Sequence, residues 1–168
     1  MRALTATALA ATLVASAATA QTTPTYGCDT PESRRYDFWV GEWELSHSGT
    51  KSANRITKAL DGCVIVEQFT GAPGTKLDGT SVSTYDRATR RWRQTWVDNT
   101  GAYLDFVGGA DNGDPTFERE FVRDGKAIRQ RMVFRDVKPA SLKWLWQSSH
   151  DGGKTWSTQW EIDYKRLK

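Results

Sequence analysis

From residue 36 onward the chain never sustains a helical period long enough for a crossover, and short alternating stretches follow one another through tight turns instead. That single property restricts the fold more than any other, because strands joined by short turns pair as antiparallel neighbours. The turn chemistry is explicit. Asp61-Gly62, Asp98-Asn99-Thr100-Gly101, Asp111-Asn112-Gly113-Asp114-Pro115, Asp124-Gly125 and Asp151-Gly152-Gly153 all supply residues that tolerate positive φ. Between them the spacing predicts strands at 41–48, 52–60, 63–70, 79–85, 91–97, 102–109, 116–122, 127–135, 141–149 and 155–164. About ten strands in meander order would leave two long exposed edges unless the sheet closes on itself. The expected fold is therefore all-β, a closed antiparallel meander barrel, preceded by a short helical turn over 31–38 with Pro31 in its first turn.

The first twenty residues stand apart from this pattern. Arg2 leads an Ala/Leu/Thr/Val stretch that ends in Ala18-Thr19-Ala20, the charged start, apolar core and small-x-small site of a secretory signal peptide. The run is too short and too rich in Ala and Thr to remain in a bilayer, and no later segment reaches spanning length. The domain plan is a signal peptide at 1–20, an irregular Thr/Pro lead at 21–35 and one barrel domain at 36–168. Its expected location is periplasmic or extracellular, without stable membrane insertion. Cys28 lies in Tyr-Gly-Cys, which lacks the small apolar residues of a lipoprotein site, so no lipid anchor is expected.

Export places Cys28 and Cys63, the only two cysteines, in an oxidising compartment, and an even count there favours a disulfide between them. Lys and Arg number 23 against 20 Asp and Glu, interspersed along the chain, with Arg90-Arg91 and Lys165-Arg166 as the only tight basic pairs. No basic stripe for nucleic acid results. The oligomeric expectation is a monomer or homodimer.

A closed barrel has one interior, and residues two apart in a strand share a face. On this rule Ile65, Glu67 and Phe69 point inward, as do Trp92, Gln94 and Trp96; Phe117, Arg119 and Phe121; and Ile128, Gln130, Met132 and Phe134. Trp144 and Trp146 join them, and so do Trp156, Thr158, Trp160, Ile162 and Tyr164 on the last strand. Each group sets a polar residue among aromatic or aliphatic ones. Because a buried polar group without a partner is costly, Glu67, Gln94, Arg119 and Gln130 need either one another or a guest. Two readings follow. In one, Glu67 and Arg119 pair and the barrel is a filled core, serving as a protein interaction module through an edge or aromatic patch. In the other, a cavity lined by Glu67, Phe69, Gln94, Trp96, Phe117, Arg119, Gln130, Met132, Trp144 and Trp160 holds a small hydrophobic or amphipathic molecule. Eight tryptophans exceed what packing alone requires and favour the second.

Enzyme signals are sparse. An isomerase or hydrolase in the same cavity would use Glu67 as an environmentally tuned acid or base and Arg119 to stabilise an anion. The only histidines are His47, near the end of the first strand, and His150, in a turn; neither has a spaced acid and nucleophile. Two histidines and two cysteines so far apart do not form a zinc pattern. Barrels of this class can bind haem through one histidine, which makes His47 and His150 the residues to consider as axial ligands, but no cofactor is expected.

Two local motifs carry resemblances. Phe38-Trp39-Val40-Gly41-Glu42-Trp43 places Gly-x-Trp at the barrel entrance after a helical turn, which resembles the opening of lipocalins and other calycins. In lipocalins a basic side chain on the last strand often covers that indole; here Lys165 and Arg166 are the two candidates over Trp43. Together with Leu60-Asp61-Gly62-Cys63, Tyr85-Asp86, Trp92-Arg93-Gln94-Thr95-Trp96-Val97-Asp98 and 149–156, the segment is similar to a family of exported bacterial proteins of unknown function with a lipocalin-like barrel. That resemblance implies the fold and supplies no ligand or catalytic residue. Ser149-His150-Asp151-Gly152-Gly153-Lys154-Thr155-Trp156 matches the Asp-box of sialidases and other propellers. A single copy without a blade repeat is a hairpin staple.

Overall fold

A computed structural model of the chain describes residues 28–109 and 113–167; the proposed signal peptide at 1–20 and residues 21–27 of the lead lie outside them. Two 3-10 turns, Glu32–Arg34 and Asp37–Trp39, precede ten strands. These are β1 (Gly41–His47), β2 (Thr50–Ala59), β3 (Val64–Thr70), β4 (Asp78–Asp86) and β5 (Arg91–Asp98). They continue as β6 (Tyr103–Gly108), β7 (Thr116–Arg123), β8 (Lys126–Lys138), β9 (Ser141–Ser149) and β10 (Ser157–Arg166). Every consecutive pair is antiparallel, and β1 pairs with β10 to close the barrel. Closure leaves no free sheet edge at the ends of the meander. The architecture is compatible with the calycin-like fold that the Gly-x-Trp entrance implies. Among the described residues no helix is long and apolar enough to cross a membrane.

Turn chemistry accounts for the connections. Asp61 and Gly62 both take positive φ between β2 and β3, as do Asp124 and Gly125 between β7 and β8. Cys28 and Cys63 form a disulfide with Cα atoms 5.0 Å apart, tying the start of the described chain to the β2–β3 turn.

The N-terminal turns seal one end of the barrel. Tyr36 stacks on Phe117 with ring centroids 4.5 Å apart and meets Trp92 edge-on at 4.9 Å. Trp39 lies edge-on to Phe134 at 5.3 Å. These rings and Trp43 are almost wholly buried, and together they form an aromatic plug. Arg166, not Lys165, covers the Trp43 indole, with its guanidinium carbon 4.0 Å from the ring centroid. The same guanidinium donates to the carbonyls of Val40 at 2.5 Å and Phe38 at 2.7 Å, so one side chain fastens the last strand to the entrance of the first.

Three departures from the expected pattern have local causes. β8 runs on to Lys138 through a register shift beyond Arg135, where Asp136 adopts positive φ. β10 starts at Ser157 instead of 155, because Thr155 and Trp156 are consumed by the Asp-box turn. A second register shift between Thr158 and Trp160 then reverses the facing of what precedes it. Trp160, Ile162 and Tyr164 point inward as alternation requires, but Trp156 and Thr158 lie on the outer face. There Thr158 accepts from Gln147, Gln147 accepts from Arg131, and Arg131 stacks on Trp156 at 4.0 Å.

Candidate functional site

Above the aromatic plug the interior changes character twice. First comes a belt of buried polar side chains contributed by five strands. Glu67 on β3 accepts from Asn54 Nδ2 on β2 at 2.7 Å and from Ser81 Oγ on β4 at 2.7 Å. Asn54 Nδ2 also reaches the Tyr164 hydroxyl on β10 at 3.2 Å, and Gln94 on β5 donates to Ser83 at 3.0 Å. The spacing follows from the pleat: Ile65, Glu67 and Phe69 succeed one another up one inward face, as do Trp92, Gln94 and Trp96. Each of these strands passes from apolar plug through polar belt to aromatic wall.

Beyond the belt the barrel is hollow. A cavity of about 250 Å³ is walled chiefly by Phe69, Trp96, Phe106, Trp144, Trp146 and Trp160, with Trp39, Glu67 and Tyr164 at its base. Five of the eight tryptophans border it. The rings brace one another: Trp144 and Trp146 stack at 6.2 Å, Trp160 meets Trp144 edge-on at 5.7 Å, and Phe69 lies edge-on to Trp96 at 6.0 Å. Gly79 on β4 makes room for this wall, since a Cβ there would overlap the six-membered ring of Trp96. Trp96 Nε1 donates to Asp98 at 2.9 Å, which fixes the ring's tilt. Asp98 also accepts from Thr100 in the following turn, and these bonds hold its carboxyl down to about 2.

Glu67 is electrostatically the most unusual group in the chamber. Burial pushes its carboxyl up to about 7, against the opposing hydrogen bonds from Ser81 and Asn54. No cation pairs with it among the described residues. Burial, and next the charge of Glu67, also raise the Tyr164 hydroxyl above the ordinary phenol range. The indole Nε1 of Trp39 and the Oδ1 of Asn54 are buried without a hydrogen-bond partner among the described residues.

Of the ten residues assigned to a cavity from sequence, six border this one: Glu67, Phe69, Trp96, Met132, Trp144 and Trp160. Four lie elsewhere. Phe117 belongs to the plug, and Gln94 sits in the polar belt. Gln130, the cross-strand neighbour of Arg119, approaches Ser148 at 3.5 Å. Arg119 does not pair with Glu67. It occupies a seam where β6 and β7 share only two register pairs, Val107 with Glu118 and Gly108 with Phe117. Its guanidinium lies 4.5 Å from the Phe121 ring centroid and 5.9 Å from that of Phe106. A separate polar groove of about 850 Å³ opens there to the outer surface, and Phe106 borders both spaces. An enzyme pairing Glu67 with Arg119 in one chamber is thus not what the geometry offers.

Alternation alone does not single out Asn54 and Ser81 as partners of Glu67, nor Trp39 and Tyr164 as its neighbours on the cavity lining. Tyr164 was legible as inward, and Asn54 lies two residues before Ile56 on β2, but which inward residues meet depends on barrel stagger. His47 bonds the Glu161 carbonyl through Nδ1 at 2.6 Å, outside the chamber, and His150 is exposed in the Asp-box turn. In that turn Asp151 Oδ1 accepts from the Lys154 and Thr155 amides, each at 3.0 Å, and Oδ2 from the Thr155 hydroxyl at 2.6 Å. Its bonds are spent locally, as in a staple. No known family model matches the chain, and no curated protein matches it.

Proposed function

We propose that this protein is an exported barrel that takes up a small hydrophobic or amphipathic molecule in the chamber above its aromatic plug, as a member of the exported lipocalin-like family its entrance motifs resemble. The observation that carries this reading is the division of the interior. One half is filled by contacting, buried aromatic rings, while the other is an aromatic-walled hollow of about 250 Å³ closed below by polar groups. Packing needs no such hollow, and an unfilled space forfeits the dispersion contacts that a guest would restore. The volume lies just under the usual range for drug-sized ligands, so the guest is the size of one or two fused rings or a short chain. The disulfide fits an oxidising compartment.

Titration with 2-naphthol tests the reading, because five tryptophans border the space and any occupant must alter their emission. Saturable quenching in the wild type that Leu104→Trp abolishes supports it, since Leu104 borders the cavity and a larger side chain there fills it. Quenching that is linear and identical in both proteins counts against it. A second reading, acid–base catalysis, is favoured by one observation, the carboxyl of Glu67 raised to about 7 in an apolar chamber. It is distinguished by turnover of the bound molecule that Glu67→Gln abolishes.

A further inference from the structure

The base of the chamber has more to say about the guest than its size does, provided that the chamber is a binding site at all. Three side chains border the cavity there with hydrogen-bonding capacity left over. Glu67 accepts one bond on each carboxyl oxygen, from Asn54 and from Ser81, and a carboxylate has room for about four. The Tyr164 oxygen receives the Asn54 amide, and its own O–H has no acceptor among the described residues. The Trp39 indole N–H, buried in a residue only 1% exposed, is directed at the Tyr164 oxygen without completing a hydrogen bond to it. The floor therefore combines two unspent donors with an acceptor that carries spare lone pairs. Asp98 is the one other charged side chain on the described lining, and its carboxylate already accepts from Trp96 and Thr100; the remaining walls are apolar or aromatic, and the groove that holds Arg119 lies outside the chamber.

This inventory discriminates among head groups. A hydrocarbon leaves both donors unpaired in a low-dielectric space, and an ether or ketone satisfies donors but offers nothing to Glu67. A carboxylate brings a second negative charge beside Glu67 with no cation to offset it. A hydroxyl does both tasks, accepting from Tyr164 Oη or Trp39 Nε1 and donating to a Glu67 oxygen. We infer that the guest is a neutral amphipath whose polar end is a hydroxyl, an alcohol or phenol, seated on Glu67, Tyr164 and Trp39 with its apolar body among the tryptophans. Among the described residues Tyr164 is the only other titratable group at this base, and it stays protonated across the neutral range.

Calorimetric titration of the intact protein at pH 8 with naphthalene, 2-methoxynaphthalene, 2-naphthol and 2-naphthoate tests the assignment, since the ring system is constant and only the head changes. 2-Naphthol binds about tenfold or more tighter than naphthalene, by the advantage of a paired over an unpaired buried polar group. The methyl ether falls between them, and the carboxylate is weakest. Tyr164→Phe and Glu67→Gln each shrink the ratio of 2-naphthol to naphthalene affinity severalfold, whereas mere damage to the barrel weakens both ligands alike and leaves that ratio unchanged. Should naphthalene match 2-naphthol, or 2-naphthoate bind tightest, the hydroxyl assignment is overturned while the binding site stands. If none of the four binds to folded protein, both the assignment and the cavity reading fall.

Discussion

Glu67 concentrates the chemistry of this molecule in one side chain. Its carboxyl is carried on a strand whose neighbours at either side, Ile65 and Phe69, are buried hydrophobics, so alternation delivers it to the interior regardless of the cost to its charge. Asn54 and Ser81 reduce that cost without removing it, and the folded carboxyl titrates at about 7 against 4.5 for the free group. The sign of the linkage follows. Below pH 4.5 both folded and unfolded chains hold the proton; between 4.5 and 7 only the folded chain does; above 7 neither does, and the fold bears the buried charge. This group's contribution is thus greatest in acid and fades as pH rises through 7, by roughly 3 kcal/mol in all. Urea denaturation of the wild type and Glu67→Gln across this interval isolates the effect: their difference in stability shifts in favour of the variant as pH rises from 4.5 to 8. A difference that stays flat with pH would place the carboxyl in contact with solvent. Arg166 is the other residue on which much depends, and the sequence narrowed it only to a pair. The two side chains alternate in facing, and only Arg166 offers the planar fork that reaches the Phe38 and Val40 carbonyls together.

At the level of elements, the strands and their order follow from turn chemistry and period-two alternation. Gly, Asp or Asn marks most of the turns between them, whereas the β4–β5 turn, Arg87-Ala88-Thr89-Arg90, and the β8–β9 turn, Pro139-Ala140, contain none. What alternation could not supply is the place where it breaks. The shift between Thr158 and Trp160 turns Trp156 outward onto Arg131, although the uninterrupted pattern from 156 to 164 reads as one inward face. A bulge inserts one residue and leaves no compositional mark. The Asp-box was the available signal, because a Trp spent beneath that turn, donating to Gly153, is not free to enter the barrel. The seam between β6 and β7 escaped for a similar reason: inward facing is a property of a strand, whereas strand separation is a property of a pair. Arg119 has the facing expected of it and stands in a gap instead of a chamber. The N-terminal plug is fastened covalently through Cys28 and Cys63, 35 residues apart. Replacing both with Ser lowers the stability by roughly 3–4 kcal/mol in the chain-entropy description, measured by urea denaturation under non-reducing conditions. An unchanged midpoint would show that the 3-10 turns hold the plug unaided.

Across the whole molecule, the barrel's two halves have opposite packing. The sequence offered a filled core and a lined cavity as alternatives; the fold contains both, stacked along one axis. Tryptophan count hinted at surplus aromatic surface, but its division between plug, wall and outer face depends on how far up each strand the residue sits. That position comes from stagger between strands, which no single strand encodes. Leu104→Trp fills the hollow from its own wall and is expected to preserve or raise thermal stability while removing uptake of an aromatic guest. A loss of folding in that variant would mean that the space is too small for an added indole. The most direct test of the central claim is native mass spectrometry of the wild type and Leu104→Trp in the presence of 2-naphthol. The account predicts a one-to-one adduct on the wild type that is lost from the variant. No adduct at saturating 2-naphthol, or one that persists equally in the filled variant, would contradict it.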